Sequence, residues 1–205
     1  FGKYRVQSKV ALTVTAVLIA VPAAWFFFCE FSELPLGERI LSSLFQSVTP
    51  RTAGFNTVDL TMISEVGLTV MIILMLVGGS PGSTAGGMKT TTVAVLFSTS
   101  LAVFRQKESA HFFKRRIPDD AIRNAGTVMM MYVVLFLTGG MAISFMEEIP
   151  IVTALFETAS AIGTVGLSLG VTPTLGLASR LILIGLMFFG RVGGLTLIYA
   201  TLSKQ

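Results

Sequence analysis

The chain has 205 residues, 53% of them hydrophobic and only 13% charged, with a formal net charge of +4. A soluble domain carries about 25% charged residues, and a mean hydropathy of +0.79 excludes a disordered chain, a fibrous repeat and an ordinary soluble enzyme. A single cysteine, Cys29, and a single histidine, His111, exclude a disulfide framework and a Cys-based zinc site, and count against a histidine metal centre or a Ser-His-Asp triad.

Taken in chain order, the first predicted element is a span over 10–28, which carries no charge and approaches the roughly 20 apolar residues a membrane helix needs. No small-residue cleavage site follows it, so it is not a signal peptide. The chain opens on Phe1 rather than Met, amid basic residues, which leaves open a fragment or an incompletely represented chain. A short apolar helix is expected over 37–48, followed by a polar stretch bearing Thr and Gly.

The next apolar segment, 66–104, carries one charge, Lys89. As one helix it would reach about 58 Å, twice the hydrocarbon thickness, so it must break. The break is written in Gly78-Gly79-Ser80-Pro81-Gly82-Ser83-Thr84-Ala85-Gly86-Gly87, where glycine and proline make a helix costly. Irregular backbone at membrane depth is tolerated only inside protein or beside water, so the break points to a cavity or pore. The spacing of Gly82 and Gly87 resembles a phosphate loop, but Met88 stands where Lys is required, and that reading is rejected.

A basic linker follows, with His111 as a solvated loop residue, then a span over 124–146 without charge, a second short helix over 150–161 and a last span over 181–203 containing Arg191. Met129, Met130, Met131 and Met187 are read as packing or lipid-facing residues.

Charge orients these elements. Lys3, Arg5, Lys9, Arg105, Lys107, Lys114, Arg115, Arg116, Arg123 and Lys204 fall on one side. Glu30, Glu33, Glu38, Asp59, Glu65, Glu147, Glu148 and Glu157 fall on the other, against Arg39, Arg51 and Arg180. Basic residues concentrate in the cytoplasm, so both termini and the 105–123 loop are expected there, beside phospholipid headgroups. No aromatic-interleaved basic patch suggests a nucleic-acid partner.

The two outer segments repeat one another. Leu44-Phe45-Gln46-Ser47 returns as Leu155-Phe156-Glu157-Thr158, and Thr52-Ala53-Gly54-Phe55 returns as Thr164-Val165-Gly166-Leu167. Each copy lies between two spans. The fold class expected is an all-α membrane protein of two span–re-entrant pore loop–span repeats, resembling a potassium-channel pore. Its parts are a first repeat over 1–105, a cytoplasmic linker over 106–120 and a second repeat over 121–205. A half-helix aimed at the membrane centre presents a partly negative C-terminus, and rows of backbone carbonyls can replace the hydration shell of an alkali cation.

Four stretches resemble the Ktr/Trk/HKT superfamily of potassium transporters. Ser47-Val48-Thr49-Pro50-Arg51-Thr52-Ala53-Gly54-Phe55-Asn56-Thr57-Val58-Asp59 is similar to the third filter segment, and Ser160-Ala161-Ile162-Gly163-Thr164-Val165-Gly166-Leu167-Ser168 to the fourth. The glycine-rich run, continued by Met88-Lys89-Thr90, resembles the intramembrane gating loop. Gly190-Arg191-Val192-Gly193-Gly194-Leu195-Thr196 resembles the arginine-bearing segment of the last span, with Gly194 where Pro is expected. The wording around Thr52 favours the Ktr membrane subunit.

The resemblance implies potassium uptake through the plasma (cell inner) membrane. Potassium would be bound by the backbone carbonyls of Thr52, Ala53, Gly54, Phe55, Gly163, Thr164, Val165 and Gly166, with Gly54 and Gly166 as the filter glycines. Sodium as a coupling or activating ion stays open. Only the third and fourth of four repeats are recognised, so either a first half of the pore is missing or two copies supply one pore; the resemblance favours the former. It also implies a homodimer of pore subunits on a cytoplasmic nucleotide-binding ring.

Arg191 follows ten uncharged residues, about 15 Å into the membrane by helix rise, where a charge marks function. It is expected to face the pore, hold the carbonyls of the glycine-rich loop and act with that loop as the gate. Lys89 reads as an interfacial anchor. Glu157 reads equally as a cation attractor at the mouth or as a plain helix-surface carboxylate. An intramembrane hydrolase fails for want of His or Asp in a span, and a voltage sensor for want of spaced arginines. A secondary transporter built on broken helices is the alternative, disfavoured because the two repeats run parallel.

Overall fold

The computed structural model describes residues 6–107, 109–112 and 115–192. Helix α1, Val6–Trp25, continues into a wider π turn over Phe26–Glu30. After a short crossing the chain enters α2, Leu36–Val48, directly behind Pro35. A loop leads to α3, Glu65–Leu76, and an irregular stretch separates it from α4, Thr90–Phe104. The second series is α5, Asp119–Glu147, then α6, Ile151–Ile162, behind Pro150, then α7, Leu177–Val192. Proline fits both helix starts because its fixed φ suits the approach and its missing N–H costs nothing there.

Among the described residues, two helices are long and apolar enough to cross a membrane, Gln7–Glu30 and Asp119–Glu147, yet only 22% and 33% of their most apolar windows are buried. A core helix of a soluble domain would be largely covered. Here Phe28, Phe104 and Phe145 are 69%, 86% and 87% exposed, a surface that water would penalise and lipid would not.

The predicted break of the 66–104 segment is realised between α3 and α4, and its two ends are stitched together. Gly78 N donates to Met88 O at 2.8 Å, Met88 N to Leu76 O at 3.0 Å and Thr90 N to Gly79 O at 3.1 Å, with Val77 and Met88 side by side as a parallel bridge. The 78–87 loop therefore leaves and re-enters the helical layer at one place.

The short helices fall where they were expected. At about 1.5 Å per residue, α2 and α6 are each too short to span. α6 is the centre of the described structure: it packs on α3, α5 and α7, and Ala154, Phe156, Thr158, Ala159 and Ile162 are essentially inaccessible. α2 packs on α1 and leaves Leu36 and Leu41 66% and 71% exposed.

The expectation of helices alone needs one amendment. The linker holds a small antiparallel ribbon, β1 (His111–Phe112) against β2 (Arg115–Arg116), paired His111↔Arg116 and Phe112↔Arg115. It satisfies backbone groups that a chain turning back between α4 and α5 would otherwise leave unpaired. Ala102, Ala110 and Ile117 pack beneath it.

Candidate cation site

The loops that follow α2 and α6 have the same backbone. Thr52 and Thr164 have φ of 66° and 50°, and Gly54 and Gly166 have φ of 74° and 92°. The residue between each pair, Ala53 or Val165, is not in the left-handed region. Alternation of left- and right-handed residues turns successive carbonyls toward one edge of the strand instead of opposite edges. A side chain resists that conformation by roughly 1–2 kcal/mol, and glycine does not.

Matching bonds tie each loop to its helix. Ala53 N donates to Thr49 O at 3.2 Å, and Val165 N to Ser160 O at 2.9 Å. The hydroxyls of the same two residues hold the loop further on: Thr49 Oγ1 donates to Phe55 O, and Ser160 Oγ accepts from Gly166 N at 3.2 Å. The two loops also meet each other. Thr52 Oγ1 donates to Gly163 O at 3.3 Å, and a Cβ at Gly54 would overlap the Val165 carbonyl oxygen.

An open cleft of 670 Å³ borders the second loop, lined by Thr164, Val165 and Gly166, by Glu157 and Ser160 of α6, and by Arg180 and Arg191 of α7 among others. Apart from its two chain neighbours, no atom among the described residues lies within 4 Å of the position a Gly166 Cβ would take. No group of three or more His, Cys, Asp or Glu residues that could hold a metal ion occurs among the described residues.

The 78–87 loop lies against the same loops. Gly86 is so close to Thr164 and to the Gly163 carbonyl that a Cβ there would not fit, and the Thr164 hydroxyl is buried with no hydrogen-bond partner. On the other side Arg51 Nη2 reaches Gly78 O at 3.4 Å, a long contact. Within the loop Ser83 N donates to Ser80 O at 3.0 Å, while Gly82, Ser83 and Thr84 are exposed.

The family model described as "TrkH: Cation transport protein" matches residues 8–204. The chain belongs to the TrkH family. It is 40% identical over 211 residues to the potassium/sodium uptake protein NtpJ of Enterococcus hirae, covering 98% of this chain and 47% of that protein. It is 35% identical over 206 residues to the Ktr system potassium uptake protein B of Bacillus subtilis, covering 98% and 46%. The crystal structure of the potassium transporter TrkH from Vibrio parahaemolyticus superposes with a TM-score of 0.76 at 19% identity, over 95% of this chain and 43% of that one. The chain spans about half the length of these relatives, and it shares its fold with TrkH over most of its own length.

Within this TrkH-family fold, the charged residues take places that the sequence did not single out. The bonds to the glycine-rich loop expected of Arg191 are made by Lys89, whose Nζ donates to Ala85 O at 2.6 Å and to Ser83 O at 3.3 Å. Arg191 sits in the last described turn of α7, exposed to the cleft, and makes no hydrogen bond among the described residues. The Gly193-Gly194-Leu195-Thr196 part of its motif lies outside the described residues, as do Lys3, Arg5, Lys114 and Lys204.

Glu157 is not a mouth carboxylate open to water. It is 4% exposed and bonded to Ser168, Leu169 and Thr172. Two further carboxylates act as helix caps. Glu30 accepts from Ser64 N at 2.6 Å and Ser64 Oγ at 2.8 Å, ahead of α3. Glu147 accepts from Gly176 N at 2.8 Å and Ser179 Oγ at 2.6 Å, at the start of α7. A negative group there meets unpaired N–H groups and the positive end of the helix dipole. Acidic residues ending one long helix of each series were visible as charge, but no spacing rule links Glu147 to Gly176.

Proposed function

We propose that this chain supplies two sides of a potassium-selective pore in a cell membrane. The cation is held by the backbone carbonyls of Thr52, Ala53, Gly54 and Phe55 and of Gly163, Thr164, Val165 and Gly166. Each series is a span–re-entrant pore loop–span unit, 1–105 and 121–205, joined by a cytoplasmic linker over 106–120. The observation that carries this reading is the paired backbone geometry: two loops, 112 residues apart, place positive φ at the same Thr and Gly positions, each at the C-terminal end of a helix too short to span. The names of the relatives, which take up potassium or potassium and sodium, support the substrate.

The remaining sides of the ring come from the half of the protein that this chain does not span. The uncovered face of α2, with Leu36 and Leu41 exposed, is available for contact with that half. Whole subunits pair as dimers and rest on a cytoplasmic nucleotide-binding ring, with both termini in the cytoplasm. The 78–87 loop obstructs the path inward from the filter. Lys89 secures it, and Arg191 adds a positive charge that a passing cation must overcome.

The test is potassium and sodium flux into liposomes containing the full-length protein. This reading requires that potassium be preferred, and that substitutions at Gly54 and Gly166 reduce the preference. A full-length protein passing sodium as fast as potassium overturns it.

A further inference from the structure

Glu157 is a carboxylate buried in the middle of α6, about two helix turns before Thr164, and none of its bonds goes to a basic side chain. Its Oε1 accepts from Ser168 Oγ at 2.8 Å and from Leu169 N at 2.8 Å, and its Oε2 accepts from Thr172 Oγ1 at 2.5 Å. Ser168 Oγ in turn accepts from Gly170 N at 2.9 Å. The salt bridges Arg116–Asp119 and Arg123–Asp120 are exposed, and neither involves Glu157. A carboxylate so enclosed is costly unless its lone pairs are filled, and all of the donors that fill them come from 168–172, the segment that carries the second loop away from Gly166.

The other copy lacks this device. The position equivalent to Glu157 is Gln46, which is inaccessible. Its Nε2 contacts Met71 Sδ at 2.9 Å, and its Oε1 has no partner. Nothing on α2 therefore ties down the outgoing strand at 56–59 as Glu157 ties down 168–172.

We propose that Glu157 is a positioning residue for cation selection: by clamping Ser168, Leu169 and Thr172 to α6 it fixes the outer end of the loop bearing Thr164, Val165 and Gly166, while the loop bearing Thr52 and Gly54 lacks such a clamp. The proposal rests on the filter reading given above. A side chain that needs three donors in one arrangement makes the 166–169 backbone stiffer than a strand left to solvent, and so holds the number and placement of the carbonyls offered to a cation. The clamp acts through the backbone of the loop, and the carboxylate itself stays buried.

The experiment uses the full-length protein in liposomes, with potassium and sodium flux measured alongside the amount and thermal stability of the assembled transporter. Two changes dismantle the clamp from opposite sides. Glu157→Gln leaves one acceptor oxygen, and the double change Ser168→Ala with Thr172→Val keeps the carboxylate but removes two of its donors. Each should lower the potassium-to-sodium flux ratio by about fivefold or more, the factor that corresponds to about one hydrogen bond, and Glu157→Asp should fall between them and the parent. A merely structural role would reduce assembled protein and leave the ratio of the surviving protein unchanged, and that result overturns the proposal. If Gly166→Ser changes the ratio and neither clamp variant does, the clamp is refuted while the filter stands. If none of the three changes it, the filter reading itself has failed and the clamp with it.

Discussion

Gly54 lies so close to Val165 that a Cβ on the glycine would overlap the valine's carbonyl oxygen. The two residues belong to different copies of the repeated loop, so the fit between copies depends on one missing methyl group. Gly166, at the matching place in the second copy, has open space where its Cβ would be and a φ of 92°. Two glycines equivalent in the repeat are thus required for different physical reasons.

That difference predicts different failures. Gly54→Ser should separate the two loops, adding about 1–3 kcal/mol of overpacking to the roughly 1–2 kcal/mol of strain at its positive φ. Gly166→Ser meets only backbone strain of roughly 1–2 kcal/mol. Thermal unfolding followed by size-exclusion chromatography of the full-length protein should show a large loss for the first and a small one for the second.

The glycine-rich loop is fastened at its two ends by Met88 and Thr90, and its exposed tip over 82–84 bears little of the packing. Removing 82–84 should leave the protein assembled and raise potassium flux. A shortened variant that assembles normally and conducts no faster than the parent would show that the loop does not obstruct.

Lys89 and Arg191 should separate by role. Lys89→Met removes the two donors to Ala85 and Ser83; bonds of this charge-assisted kind are worth about 1.5–3 kcal/mol each when buried, less at this half-exposed site. The loop should loosen and the resting leak should rise severalfold. Arg191→Gln removes a charge exposed to the cleft and should also raise potassium flux, while Arg191→Lys should stay near the parent. Flux that fell to zero in a folded Arg191→Gln protein would make the arginine a required part of conduction and not a brake.

The capping carboxylates should behave as stability elements only. Glu147→Gln weakens the bonds to Gly176 and Ser179, and Glu30→Gln those to Ser64. A lost cap costs about 0.5–2 kcal/mol, so each variant should unfold at lower temperature with an unchanged potassium-to-sodium ratio. A changed ratio would place these carboxylates in the cation path.

What could be read from the sequence was what local chemistry decides. Five glycines and Pro81 within 78–87 break a helix wherever they stand, and the paired Thr-x-Gly motifs announced the paired loops because positive φ is a demand on the residue itself. α2 and α6 were legible as short apolar runs that repeat one another, each followed by a stretch bearing Thr and Gly. The partners of Glu30, Glu147, Glu157 and Lys89 were not legible. Glu147 and Ser179 are 32 residues apart, and their meeting depends on the packing of α5 against α7. Lys89 took the place expected of Arg191 because it begins α4 where the loop returns, a consequence of the Gly78–Met88 stitching that no spacing rule contains. The ribbon at His111–Arg116 was missed because two-residue strands carry no periodicity.

The central claim is that backbone carbonyls of the two repeated loops select potassium, and Gly166 tests it most directly, because a side chain there disturbs φ without striking a neighbour. Potassium and sodium flux should be measured in liposomes for the full-length protein and for Gly166→Ser at equal amounts of assembled transporter. The account predicts a potassium-to-sodium ratio well above one for the parent and a clear fall toward one in the variant. An unchanged ratio in a folded Gly166→Ser protein would contradict it.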